Sequence, residues 1–97
     1  MQGISLAELY KVISDSHDAE FSYDGRTYVL QTELDEGNSF LVIWDCTPND
    51  LKCIAKYRIP DQNTIPKQVI DKILNDKCFN GKSFMEIEQG VVVEVIY

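Results

Sequence analysis

Apolar residues recur at two different periods along the chain, and each period predicts a different kind of element. Near the N-terminus they are three or four residues apart, as on one face of a helix. Ser5 and Glu8 form an S-x-x-E capping box at its start, which predicts a helix from about Leu6 to Asp15. The same spacing returns between PDQNT and Asn75, with Pro66 in the first turn, and predicts a second helix there.

Between residues 21 and 59 the period changes to two, which is typical of half-buried strands. Asp24-Gly25 is a strong hairpin signal, because a type I′ turn needs positive φ at both central positions. Gly37-Asn38 and the sequence TPND supply the next two turns. We therefore predict a four-stranded antiparallel meander, with strands near 20–23, 26–34, 39–46 and 53–59.

These turns also predict which residues face each other and therefore which side of the sheet is buried. Phe21 should lie opposite Tyr28, Leu30 opposite Trp44, Thr32 opposite Val42, and Val42 opposite Tyr57. The predicted core face has Trp44 near its middle, since this large aromatic buries the most area. Its other members are Phe21, Tyr28, Leu30, Thr32, Leu34, Phe40, Val42, Cys46, Cys53, Ala55, Tyr57 and Ile59.

The last quarter of the chain contains one ambiguous segment and one strand. Ser83 and Glu86 form a second capping box, although Phe84, Glu86 and Glu88 also alternate like a strand; we favour a short helix. The sequence VVVEVIY is apolar on almost both faces, which favours a strand inside the sheet over an exposed edge. The order α-β-β-β-β-α-(short α)-β predicts an α+β fold, with two helices on one face, in a single domain spanning 1–97.

Charge and composition narrow the classes of function. The net charge of −7 is uneven: residues 1–50 carry ten acids and two bases, a balance of −8, and residues 51–97 carry six acids and seven bases, a balance of +1. The acidic half disfavours direct nucleic-acid binding. No apolar run approaches the length of a membrane span, and the start lacks the pattern of a secretory signal. We expect a cytoplasmic protein whose three cysteines are reduced.

The sequence contains no pattern that specifies catalysis. Cys46 and Cys53 lack the spacing of a zinc site and are expected to be packing residues on the core face. The single histidine, His17, is expected to be solvated at a helix end. We predict no catalytic residue, metal or cofactor, with an enzyme acting through His17 or a cysteine as an alternative.

The sheet face opposite the predicted core is the best candidate for binding. A face left to water would normally be more uniformly polar. Either a partner or the C-terminal segment of the same chain should therefore cover it. The predicted partner-binding residues are Val29, Leu41, Ile43, Ile54, Lys56 and Arg58.

These observations favour a small non-enzymatic interaction module over an enzyme. Its partner would be an unidentified protein or a second copy of the chain, bound by the second sheet face or the C-terminal strand. The alternative is an acidic inhibitor that mimics nucleic acid and binds a basic nucleic-acid-binding protein. That protein would contact the acidic surface formed by Glu33, Asp35 and Glu36.

Overall fold

Three helices and five strands make up the computed structural model, which describes residues 1–61 and 63–97. In chain order they are α1 (Leu6–Ser14), β1 (Ala19–Tyr23), β2 (Arg26–Asp35), β3 (Asn38–Asp45), β4 (Lys52–Ile59), α2 (Lys67–Leu74), α3 (Phe84–Ile87) and β5 (Val92–Ile96). A 3₁₀ turn at Glu88–Gly90 joins α3 to β5. This order and the antiparallel sheet confirm the predicted α+β fold.

Capping explains where two of the helices begin. The Ser5 hydroxyl accepts a hydrogen bond from the Glu8 amide at 3.1 Å, and the Glu8 carboxylate accepts one from the Ser5 amide at 3.2 Å. Ser83 and Glu86 repeat the arrangement at α3, with corresponding distances of 3.2 and 3.1 Å. Both capping boxes are confirmed, and the ambiguous segment forms the short helix.

The sheet has the strand order β4-β3-β2-β1-β5, with every neighbouring pair antiparallel. The last strand therefore lies at an edge beside β1, and the prediction that it is an interior strand is wrong. Part of its outer side is covered instead by the start of the chain. The Gln2 amide donates to the Val91 carbonyl at 3.0 Å, and the Val93 amide donates to the Gln2 carbonyl at 2.8 Å.

The β1–β2 register is confirmed, but the β2–β3 and β3–β4 registers each differ by one residue from the prediction, and Val42 lies opposite Lys56 instead of Tyr57. Leu30 lies opposite Ile43, and Asp35 lies opposite Asn38. The turn consists of Glu36 and Gly37, with φ of 51° and 82°, rather than Gly37 and Asn38. Because successive side chains alternate between faces, a shift of one residue moves every side chain of β3 to the other face.

The shift changes which residues form the core. Leu41 and Ile43 are 1% and 0% exposed and belong to the central cluster, whereas Trp44 is half-buried on the opposite face. The predicted core residues Phe40, Val42, Cys46 and Cys53 likewise lie on the opposite face, so their predicted placement is wrong. The predicted core positions Phe21, Tyr28, Leu30, Ala55 and Ile59 are buried in the cluster.

Helices and sheet share this core. Buried residues of α1, α2 and α3 pack with one face of the sheet, among them Leu9, Ile13, Ile70, Ile73, Leu74, Phe84 and Ile87. Phe21 lies at the centre of an aromatic group, with its ring centroid 5.3 Å from that of Tyr28 and 5.4 Å from that of Phe84. Across the described ranges, none of the helices is long and apolar enough to cross a bilayer.

Candidate protein-binding face

The face of the sheet opposite the helices is the main candidate site, and we call it the open face. The helices contribute their buried side chains to the core on the other face, and no described helix lies over this one. Its central residues come from β2, β3 and β4 and are Val29, Gln31, Glu33, Phe40, Val42, Trp44, Cys53, Lys56 and Arg58. Cys46 follows directly after β3, and Glu20 and Ser22 extend the face across β1.

Only part of the predicted partner-binding set lies on the open face. Val29, Lys56 and Arg58 are there. Leu41 and Ile43 are core residues, so their predicted placement is wrong. Ile54 is the extra residue at a bulge between the Ile43–Ala55 and Trp44–Cys53 pairs, and it packs against the core cluster.

The residues that sequence reasoning missed are the aromatic pair Phe40 and Trp44. They flank Val42 on the same strand, and all three belong to the open face because residues i and i+2 share a side. Val42 is 0% exposed although no described helix covers it, whereas both aromatic residues are only partly buried. No local signal identifies them, because their face depends on which two residues occupy the β2–β3 turn, and the positive φ of Glu36 is uncommon for glutamate.

Polar neighbours hold the aromatic side chains in place. The Trp44 indole N–H donates a hydrogen bond to the Glu33 carboxylate, which also accepts one from the Gln31 amide nitrogen at 2.8 Å. The Lys56 ammonium lies 4.4 Å from the centre of the Phe40 ring, within the range of a cation–π interaction. The centre of the open face is therefore a preorganised aromatic surface.

Apart from Glu33 and Asp35 on β2, the charges on the open face are separated along the strand order. The bases Lys56 and Arg58 lie on β4, at one edge. Glu20 on β1 and Glu94 on β5 lie at the other, where they accept hydrogen bonds from Tyr97 at 3.1 Å and Ser22 at 2.8 Å. The open face thus has a basic edge, defined by Lys56 and Arg58, and an acidic edge, defined by Glu20 and Glu94.

The predicted acidic surface is partly neutralised. Asp35 pairs with Lys56 at 2.6 Å, and this hydrogen bond raises the pKa of the Lys56 ammonium. The Glu33 carboxylate accepts hydrogen bonds from Trp44 and Gln31. Glu36 is exposed in the β2–β3 turn. The three acids lie close in sequence, but only Glu36 stands clear of these contacts.

None of the three cysteines forms a disulfide, and their surroundings disfavour the reactive thiolate. Burial raises the pKa of Cys46 and Cys53, although both belong to the open-face side of the sheet. Burial also raises the pKa of Cys78 to about 12. No group of three or more potential metal-binding side chains occurs in the described part of the chain.

A second polar cluster lies on the core side of the sheet, where β2 begins and β3 ends. Asp45, which is 3% exposed, accepts hydrogen bonds from Arg26 at 2.8 Å, from the Thr47 amide at 3.0 Å and from the Thr47 hydroxyl at 2.6 Å. Arg26 also pairs with Asp50. Its polar groups are used to fix the β3–β4 connection, so we interpret this cluster as structural.

His17 is exposed beyond the end of α1, as expected. Its Nδ1 atom lies 2.9 Å from the carbonyl oxygen of Tyr97, so it contacts the end of the last strand.

Comparison with known proteins adds nothing to this geometry: no protein-family model, curated protein or solved structure matches the chain.

Proposed function

We propose that the chain is a small, non-enzymatic, cytosolic protein–protein interaction module that binds through its open face. The observation that carries the proposal is the partly buried pair Phe40 and Trp44 on a face without a described helix over it. Aromatic residues are enriched at the centres of protein interfaces, where they supply large contact area at low entropic cost. Their fixed positions reduce the ordering required on binding.

The open face is a better binding surface than either sheet edge. The outer side of β5 is partly paired with Gln2, and the β1–β5 ladder is interrupted at Glu20/Phe21. The other edge strand, β4, carries Lys56 and Arg58, and such charges discourage pairing with another strand. Both edges therefore resist strand addition, which leaves the face as the surface suited to a partner.

The cytosolic and non-enzymatic parts of the proposal have their own support. Three thiols without disulfides are typical of a reducing compartment. The raised pKa values of these thiols make them poor nucleophiles at neutral pH.

Site-specific photocrosslinking tests the proposal. A benzoylphenylalanine group would be placed at Phe40 in one variant and at Leu34 in a second, and each would be irradiated in cells that express the chain. Leu34 is 66% exposed and belongs to the opposite side of β2, so it is a matched control. We expect a discrete protein adduct from position 40 only, and its loss when Trp44 is replaced by serine. Equal adducts at both positions, or none at position 40, would contradict the proposal.

The alternative proposal, an acidic mimic of nucleic acid, makes a different prediction. Charge reversal at Glu33, Asp35 and Glu36 should then abolish partner binding, and added salt should weaken it strongly. Under the leading proposal, the loss of Trp44 has the larger effect and the salt dependence is shallow. The Asp35–Lys56 ion pair favours the leading proposal, since it reduces the negative field of that surface.

A further inference from the structure

We propose that the open face binds a second copy of the same chain, in a symmetric dimer whose two-fold axis runs along the strands. The inference rests on the proposed function, because it names the partner of the same face. It adds the identity of that partner and the orientation of the two sheets.

The orientation follows from the positions of the basic and acidic edges. When two identical sheets pack face to face, an axis parallel to the strands reverses the strand order of one copy relative to the other. With the axis between β2 and β3, β4 of each copy, which carries Lys56 and Arg58, lies over β1 of the second copy, which carries Glu20. An axis across the strands would place basic edge over basic edge, and like charges brought together in an interface are unfavourable. Charge complementarity therefore selects the axis along the strands.

The apolar centre is compatible with the same axis. Trp44 and Val29 are register partners on the neighbouring central strands β3 and β2. An axis that passes between these strands places Trp44 of each copy over Val29 of the second copy, so the largest aromatic meets an apolar side chain. Each contact occurs twice, as in any isologous interface. Aligned sheets pack about 10 Å apart, a distance that side chains of this size can fill.

The size of the face indicates a weak dimer. About this axis four strands of each copy overlap, β4 to β1; at about 4.8 Å apart and about 20 Å long they present roughly 400 Å² per copy, or about 800 Å² in total. This is smaller than a standard specific interface and is the size of a weak, transient association. The net charge of −7 also opposes dimerisation, although at about 0.15 M salt the Debye length of about 8 Å limits that repulsion to near neighbours. We therefore expect a dissociation constant in the micromolar range or above.

Analytical ultracentrifugation of paired charge variants tests the inference. Sedimentation would be measured from about 10 µM to about 1 mM at about 0.15 M salt, a range that covers weak association. One variant reverses the basic edge (Lys56→Glu, Arg58→Glu), and a second reverses the acidic edge (Glu20→Lys, Glu94→Lys). The control, Lys11→Glu with Lys72→Glu, changes the charge by the same amount as the first variant at exposed helix positions.

We expect the wild type and the control to dimerise, and each edge variant alone to dimerise at least about tenfold more weakly. An equimolar mixture of the two edge variants should associate again, because every pair across the axis then has opposite charges. Circular dichroism would establish that all variants are folded.

A wild type that stays monomeric at about 1 mM overturns the inference, as does a mixture that fails to associate. Failure here remains separable from failure of the proposed function. A monomeric chain that still gives an adduct with a different protein at position 40 contradicts only the dimer, whereas no adduct at position 40 contradicts the binding face itself.

Discussion

Replacing Leu41 by alanine tests the one-residue shift that determines both the core and the open face. Leu41 is 1% exposed, whereas Leu34, which also lies in the β2–β3 hairpin, is 66% exposed. The same chemical change at both positions therefore compares a buried leucine with an exposed one. If the predicted register had been correct, Leu41 would point away from the helices and its truncation would cost little.

The expected magnitude follows from the burial of the side chain. Truncating a buried leucine loses its transfer free energy and leaves a cavity, which together cost about 3 to 4 kcal/mol. In a chain of this size, 3 kcal/mol corresponds to a fall in melting temperature of about 12 to 24 °C. Leu34→Ala should change the free energy of unfolding by no more than about 0.5 kcal/mol. A domain with total stability of about 5 to 15 kcal/mol can remain folded after the larger loss.

Urea denaturation followed by far-ultraviolet circular dichroism would measure both variants beside the wild type. The transition midpoint of Leu41→Ala should fall by about 1 to 3 M, with an unchanged slope. A loss below about 1 kcal/mol at Leu41, or equal losses at both leucines, would refute the placement of Leu41 in the core. The open face as defined here would then be wrong as well.

Three further changes test separate features. Gly3→Ala would place a Cβ 2.5 Å from the Val93 carbonyl oxygen, at a residue whose φ is +104°. Hydrogen exchange at the Val93 amide should therefore accelerate about tenfold, and unchanged protection would contradict this. Asp45→Asn should lower the free energy of unfolding by about 2 kcal/mol at pH 7, because the charged hydrogen bond to Arg26 is lost. Burial raises the pKa of Asp45, but the hydrogen bonds from Thr47 and Arg26 prevail and lower it. The stability due to that carboxylate is therefore present above the unfolded pKa of about 3.9 and is lost as pH falls through the lower folded pKa. In urea denaturation, the difference in free energy of unfolding between wild type and variant should shrink from pH 5 towards pH 2. Burial and the hydrogen bond to Asp71 raise the pKa of Tyr10 to about 12. The stability from its protonated form should therefore be complete below pH 10 and lost between pH 10 and 12. An ultraviolet titration compared with Tyr10→Phe would show this, and titration of Tyr10 together with a free tyrosine would contradict it.

Local signals in the sequence were sufficient for most elements. Both capping boxes act through residues three positions apart, and the Asp24-Gly25 turn adopts φ of 50° and 78°, as a type I′ turn requires. These features depend on the nearest neighbours in the chain and are independent of the rest of the fold. The helix and strand boundaries they imply agree with the structure to within one or two residues, apart from the less specific start of α2.

The identity of the open face could not be read from the same signals. Its assignment depends on which two residues occupy the β2–β3 turn, and glutamate is a poor candidate for positive φ. The structure nevertheless places Glu36 there at 51°, where it precedes Gly37. The gain is collective, because this turn brings Leu41 and Ile43 into the core. A local preference at one residue is thus outweighed by burial at several others.

The position of β5 in the sheet could not be predicted from local sequence signals either, because strand order is a property of the whole chain. The strand pattern in VVVEVIY is compatible with an interior or an edge position. Pairing between β1 and β5 joins segments about 70 residues apart, and Gln2 pairs with residues about 90 positions away. A sequence pattern contains no information on such distant pairing when only one sequence is read.

The placement of β5 has a consequence for folding during synthesis. Domains are made from the N-terminus, so the meander β1 to β4 is complete before β5 leaves the ribosome. Until then, β1 is an edge strand paired only with β2, and its outer side is exposed. Closing the sheet also requires β5 to meet both β1 and Gln2, which lie about 70 and 90 residues before it in the chain. Contacts at such separation form slowly. The outer side of β1 must therefore stay unpaired until β5 has been made, and during that period the nascent domain is open to aggregation or to assistance by a chaperone.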